Sequence, residues 1–309
     1  MLLSIWLRRS VAGALAVIVA STVAAAQVEE PGPPKIIHRV NPHGIGLSAP
    51  TGSTSATSPI SYHGGPVIAA PVIYLIWYGN WDQGNGSDTP AGRQIVRDFA
   101  TNVGSSPYFY INRSYPGVSG AVYVGGETSD AYSRGSRLKD ADVQAVVVGA
   151  IASQRLPFDA NGVYFVLSSS DVSEQSGFCR TYCGWHTAAD TSVGHIRYSF
   201  VGNANRCLSG CAIQSTSPNA NAGVDGMVSV IAHELEEAAT DPNLNAWYDG
   251  RGAENADKCA WTFGHSQYQV ANGSFANVHL GLRDFMIQRN LYHYLVGTSD
   301  YCMMDATHN

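Results

Sequence analysis

Apolar residues fall along the chain in two kinds of pattern, dense short runs and helical stripes. The run Val67 to Tyr78 is rich in Val, Ile, Tyr and Trp and predicts a buried strand. From Thr89 to Val103, the positions Ile95, Val96, Phe99 and Val103 share one helical face. Gly120 to Val124 predicts a short strand. Asp140 to Ser153 predicts a helix with Val143, Val146, Val147 and Ile151 inward. Val163 to Leu167 predicts a second buried strand, and the alternation from His195 to Val201 a third. A last helix is expected from Met227 to Ala239. Strands and helices in this order predict one α/β (α+β) domain with a single main mixed sheet.

The N-terminus has a different pattern. Arg8 and Arg9 precede an apolar stretch from Val11 to Val23, and Ala24 to Ala26 supply small residues for cleavage. Residues 1–26 read as a signal peptide, because the run is shorter than the roughly 18–20 residues that span a bilayer. No later segment is apolar enough to span. Residues 27–61 are rich in Pro, Gly, Ser and Thr and are expected to be a flexible leader. If that leader were an inhibitory pro-segment, His38 and His43 would be its metal ligands. The folded domain is assigned to 62–309. A secreted location is expected, extracellular or periplasmic.

The net charge of −6 and the absence of basic runs exclude nucleic acid as a natural partner. Six cysteines, Cys179, Cys183, Cys207, Cys211, Cys259 and Cys302, are an even number in an exported chain and predict disulfides. A four-thiolate zinc site from the first four is the alternative, disfavoured by the spacing. Cys259 and Cys302 suggest one bridge that ties the C-terminal segment down.

The chemistry concentrates on His233-Glu234-Leu235-Glu236-Glu237. Asp225 is the expected N-cap, and Asp241-Pro242 stops the helix. Val228, Ile231, Ala232, Leu235 and Ala239 form the core stripe. His233 and Glu237 are one turn apart on the other side, so they can offer two ligands to one ion. Glu234, directly after the histidine, is then placed as general base on a metal-activated water. Asp257 is the expected third ligand, with Glu254 as the alternative on a second helix and Asp249 a nearer candidate. The competing reading is a merely solvated helix face, with the downstream acids capping turns. Zinc is the expected metal, with manganese or iron as alternatives. His186 is a candidate substrate contact or a structural histidine. Trp77, Tyr78 and Trp81 are a sugar platform or core. Neither a Gly-x-Ser-x-Gly elbow nor a nucleotide-binding fingerprint is present.

Several stretches resemble the EXORDIUM, or phosphate-induced, family. They are Tyr62-His63-Gly64-Gly65-Pro66, Tyr74 to Gly79, Gly177-Phe178-Cys179 through Cys183-Gly184-Trp185-His186, Val201-Gly202-Asn203 to Cys207, Gly223 to Met227, and Thr240-Asp241-Pro242 through Trp247-Tyr248. The resemblance implies an extracellular protein; plant members are associated with the apoplast and cell expansion. With His233, Glu234 and Glu237, the chain looks like a zincin-like branch of that family. Two functions follow as expectations. One is a secreted zinc metallopeptidase acting on peptide or protein. The other is a non-catalytic module binding cell-wall glycan or a receptor.

Overall fold

The computed structural model describes residues 34–42, 44–45, 59–294 and 300–306. The signal peptide (1–26), most of the leader and His43 lie outside the described residues.

A six-stranded mixed sheet carries the fold. Its strands are β1 (Ile36–Arg39), β2 (Val72–Tyr78), β3 (Tyr123–Asp130), β4 (Gly162–Ser168), β5 (Tyr182–Thr191) and β6 (Gly194–Gly202). Their spatial order is β1-β5-β6-β4-β2-β3. Strands β3, β2, β4 and β6 run parallel, and β5 and β1 close one side antiparallel. The central strands β2 and β4 are buried on both faces, which is why they read as continuous apolar runs rather than alternating ones. Strand β2 starts at Val72, directly after Pro71, later than Val67 as expected from the apolar run. Strand β3 extends well beyond the expected Gly120–Val124 segment. Most of it is exposed at the sheet edge, so its polar stretch Gly-Glu-Thr-Ser carried no burial pattern.

Helices α1 (Pro90–Asn102) and α2 (Asp140–Ala152) lie where their stripes place them. Thr89 caps α1 by accepting from the Gly92 N–H. A one-turn helix α3 (Leu208–Cys211) precedes the central helix α4 (Ala222–Thr240). Helix α4 begins five residues before the expected start. Its N-cap is Asn221, which accepts from the Val224 N–H, and not Asp225, which sits in the first turn and accepts from Ser217 and Asn219. Gly223 and Gly226 look like helix breakers in sequence but are packing requirements here. A Cβ on Gly226 would come within 2.6 Å of the Cys211 carbonyl, and one on Gly223 would collide with Asn203 and Ser87. The expected stop holds, because Asp241 ends the helix and accepts from the Asn245 and Ala246 N–H groups at 2.6 Å.

One correction concerns exposure, on α4. No face of α4 is solvated; every residue from Gly223 to Thr240 is buried. Trp77, Tyr78 and Trp81 are core residues and offer no sugar platform. The leader also differs from expectation, since its residues 36–39 form β1 and pair with β5 through Ile36↔His186 and Ile37↔Trp185. Beyond α4 the chain makes small hairpins, and Gln288, Arg289 and Asn290, which lead into the last of them, are buried. No helix among the described residues is long and apolar enough to cross a membrane.

All six cysteines are bridged, as Cys179–Cys207, Cys183–Cys211 and Cys259–Cys302. The two four-residue pairs cross-link and do not close on themselves. They tie β5 to the segment that leads into α4. The third closes 43 residues and anchors the C-terminal hairpin to the turn after α4. Loop-closure entropy assigns a bridge of that span about 4 kcal/mol. Replacing both Cys259 and Cys302 by Ser is expected to lower unfolding free energy by about 2–4 kcal/mol in urea titrations. An unchanged midpoint would show that the turn is held by its packing alone.

Candidate metal centre

Helix α4 carries the centre in its C-terminal half. His233 and Glu237 are neighbours on the helix, with Nε2 of His233 2.9 Å from Oε1 of Glu237. The side-chain amide of Gln288 is hydrogen-bonded to Nδ1 of His233, which turns Nε2 toward the carboxylates. The turn after α4 brings Asp257 to 3.7 Å from that same Nε2. The Asp257 N–H donates to Oε1 of Glu237 at 3.0 Å. Asn255 fastens the turn, donating to the Glu236 carbonyl at 3.4 Å and to Oδ1 of Asn112 at 3.1 Å. Asp257 belongs to a three-residue 3-10 turn (Asp257–Cys259) and not to the second helix expected for it and Glu254.

Strand β5 supplies the other half. Gly184 lets α4 approach it closely, since a Cβ there would lie 2.5 Å from Val230 and 3.2 Å from Oε1 of Glu234. Two residues on, His186 points at the helix. Its Nδ1 is 3.2 Å from Oε2 of Glu234 and 3.4 Å from Oε2 of Glu237. Its Nε2 is 3.6 Å from Oε2 of Glu254. The structure therefore brings His233, Glu234, Glu237, Asp257 and Glu254 together, and draws in His186, which the sequence offers as a substrate contact or a structural histidine. Glu254 stands on the His186 side and not beside His233. Asp249 stays outside, accepting from the Arg251 and Ala253 N–H groups and pairing with Lys258. His195 pairs with Asp190 on the surface.

Strand β1 closes the centre from the third side. The His38 ring lies 4.1 Å from that of His233 and stacks 4.9 Å from Trp261. It is fully buried, and neither ring nitrogen has a hydrogen-bond partner. The sequence signal for this residue was the Ile36-Ile37 pair ahead of it, submerged in a Pro-rich leader. Beside β1 a surface pocket of about 360 Å³ is lined by Lys35, Ile37, Arg39, Arg251 and Asp257. Asp257, with 22% of its side chain exposed, links the pocket to the centre.

The electrostatics follow from burial. Desolvation disfavours the charged form of every group here. For Glu254 it is reinforced by Glu237, Asp241 and Asp257, so this carboxyl is pushed well above its usual range. Desolvation likewise raises Glu234, against the pull of His186 and His233, to about 7. It opposes protonation of His186, but the carboxylates of Glu234 and Glu237 beside the ring win and hold it at about 10. Glu237 goes the other way, to about 2, because the pull of His233 and His186 exceeds its desolvation. Several buried atoms still lack a hydrogen bond: Nε2 of His186 and of His233, Oε1 of Glu234, Oε2 of Glu237 and both oxygens of Glu254. Unpaired buried polar atoms cost free energy that a bound cation would recover. Among the described residues, two donor sets have every ligand atom within 4.8 Å of the others, His233/Glu237/Asp257 and His186/Glu237/Glu254. Imidazole with carboxylates suits zinc, and also manganese or iron.

The chain matches the family region described as "Phosphate-induced protein 1 conserved region" over residues 60–282. It is 35% identical to Protein EXORDIUM-like 5 of Arabidopsis thaliana over 66% of this chain and 65% of that protein, just under two thirds of its length. It is 32% identical to Protein EXORDIUM-like 3 of the same plant over 72% of this chain and 74% of that protein. Protein PHOSPHATE-INDUCED 1 of Nicotiana tabacum is 28% identical over 68% of this chain and 74% of its own. No solved structure matches.

The shifts set a pH dependence. His186, raised from 6.5 to about 10, stabilises the metal-free fold below 6.5, and this is lost as pH rises through 10. Glu234, raised from 4.5 to about 7, contributes below 4.5 and loses that contribution as pH rises through 7. Glu237, lowered from 4.5 to about 2, contributes above 4.5 and is lost as pH falls toward 2. Chelator-treated protein is therefore expected to melt at falling temperature from about pH 6 to pH 10. Zinc affinity is expected to rise over the same interval, because ligand histidines must shed protons. Calorimetric titrations in buffers of different ionisation enthalpy should register proton release on binding; no release would show that the imidazoles are not ligands.

Proposed function

We propose, from the premise that the chain belongs to the phosphate-induced protein 1 family, that it is an exported zinc-dependent hydrolase acting on peptide or protein. The observation that carries this reading is the convergence of His233, Glu237 and Asp257 beside a buried Glu234 whose Oε1 has no partner. His233 Nε2 and one oxygen each of Glu237 and Asp257 would hold the ion. When bound, zinc would supply a Lewis acid and acidify a water. Glu234, held near 7 by burial, is suited to take the proton from that water and return it to the leaving amine. His186 holds Oε2 of Glu234 and so orients the carboxylate. Substrate would reach the centre through the pocket at Asp257, with β1 displaced or bordering it. Three disulfides and the similarity to EXORDIUM-like proteins support export.

One observation favours a second reading. His186, His233, Glu234, Glu237 and Glu254 are at most 1% exposed, as expected for a structural ion in a non-catalytic module that binds cell-wall glycan or a receptor.

Native protein purified without chelator is expected to carry zinc. Glu234→Gln should retain the metal and lose about 10²–10⁴-fold in kcat on a cleavable peptide. No metal in the wild type would overturn both readings of the ion. Metal with no hydrolysis by either protein, and equal glycan binding by both, would favour the module.

A further inference from the structure

The function proposed above uses one donor set. The second, His186, Glu237 and Glu254, comes from different parts of the chain and is more deeply buried. His186 comes from β5, Glu254 from the turn after α4, and Glu237 from the helix itself. Each oxygen of Glu237 faces its own histidine ring: Oε1 lies 2.9 Å from Nε2 of His233, and Oε2 lies 3.4 Å from Nδ1 of His186. We propose that the centre is dinuclear, with the Glu237 carboxylate bridging two divalent cations. One would be held by His233 and Asp257, the other by His186 and Glu254. This rests on the first site as proposed above.

Three observations carry the second site. Nε2 of His186, both oxygens of Glu254 and Oε2 of Glu237 lack hydrogen-bond partners, although these residues are at most 1% exposed. They converge on one another, with His186 Nε2 3.6 Å from Glu254. One cation at the His233 site would leave all of these atoms unpaired. The first shell is also already oriented. Glu234 accepts from Nδ1 of His186 at 3.2 Å, and a carboxylate behind a histidine is the usual support for a metal-binding ring. Charge points the same way. Glu234, Glu237, Asp241, Glu254 and Asp257 crowd this volume, and the ion pairs that Glu234, Glu237, Glu254 and Asp257 make here are to the two histidines. Paired cations sharing a carboxylate stand about 3.5–4 Å apart, a separation that a bidentate bridge spans.

The test is metal stoichiometry on the full mature protein, equilibrated with zinc and freed of excess. The wild type is expected to hold about two zinc ions per chain, and Glu254→Gln and His186→Gln about one each. Anomalous diffraction from wild-type crystals is expected to show two peaks flanking Glu237, which decides the matter even if a variant does not fold. A wild type with one zinc, a single anomalous peak, or two ions retained in both variants would overturn the dinuclear centre while leaving the first site standing. A wild type with no zinc would overturn the first site as well.

Discussion

Glu237 lies between two buried imidazoles, and its charge in a dry interior sets the terms for everything packed around it. A carboxylate with no solvent access is tolerated only when oppositely charged or hydrogen-bonding groups meet it closely. His233, on its own helix, meets one oxygen, and His186, across on β5, meets the other. That second contact requires helix and strand to approach closely. Gly184 permits it, and the bridges from Cys183 to Cys211 and from Cys179 to Cys207 hold the segment before the helix against β5.

The rest of the centre is layered on this pair. Asn255 and the Asp257 N–H fix the turn after the helix against Glu236 and Glu237. The third disulfide and the buried Gln288 bring the C-terminal segment up behind His233. Strand β1 covers the remaining side with His38, whose ring lies against that of His233 and stacks on Trp261. The cost is access. A centre assembled by burial has strong electrostatics because water is excluded, and Asp257 is the member of it that meets the surface pocket.

Much of this is legible in the sequence alone. The i, i+4 spacing of His233 and Glu237 is a local property of a helix, so it survives whatever the helix packs against. The wheel gives the core stripe of α4 but leaves its opposite face open, because a face that lacks apolar residues suits both a solvated surface and a metal cleft. Here it meets histidines and acids from other elements, and polarity in sequence does not distinguish a solvated face from a buried polar one. Strand β1 was hidden for a related reason. An edge strand of four residues needs little apolar pattern, and its partner lies far along the chain.

By itself, the sequence determined the elements that depend on neighbours along the chain: three helices, the buried parallel strands, the helix stop at Asp241 and the metal-like spacing on α4. Tertiary structure alone decided that His186, 48 residues before Glu234, faces it. It also decided that the cysteines cross-link between pairs, that Glu254 stands on the opposite side of Glu237 from Asp257, and that a strand from the leader seals the centre. The division has a physical cause. Helical periodicity and capping act over a few residues, whereas sheet register, disulfide pairing and the convergence of buried charge are set by contacts between segments that no local pattern records.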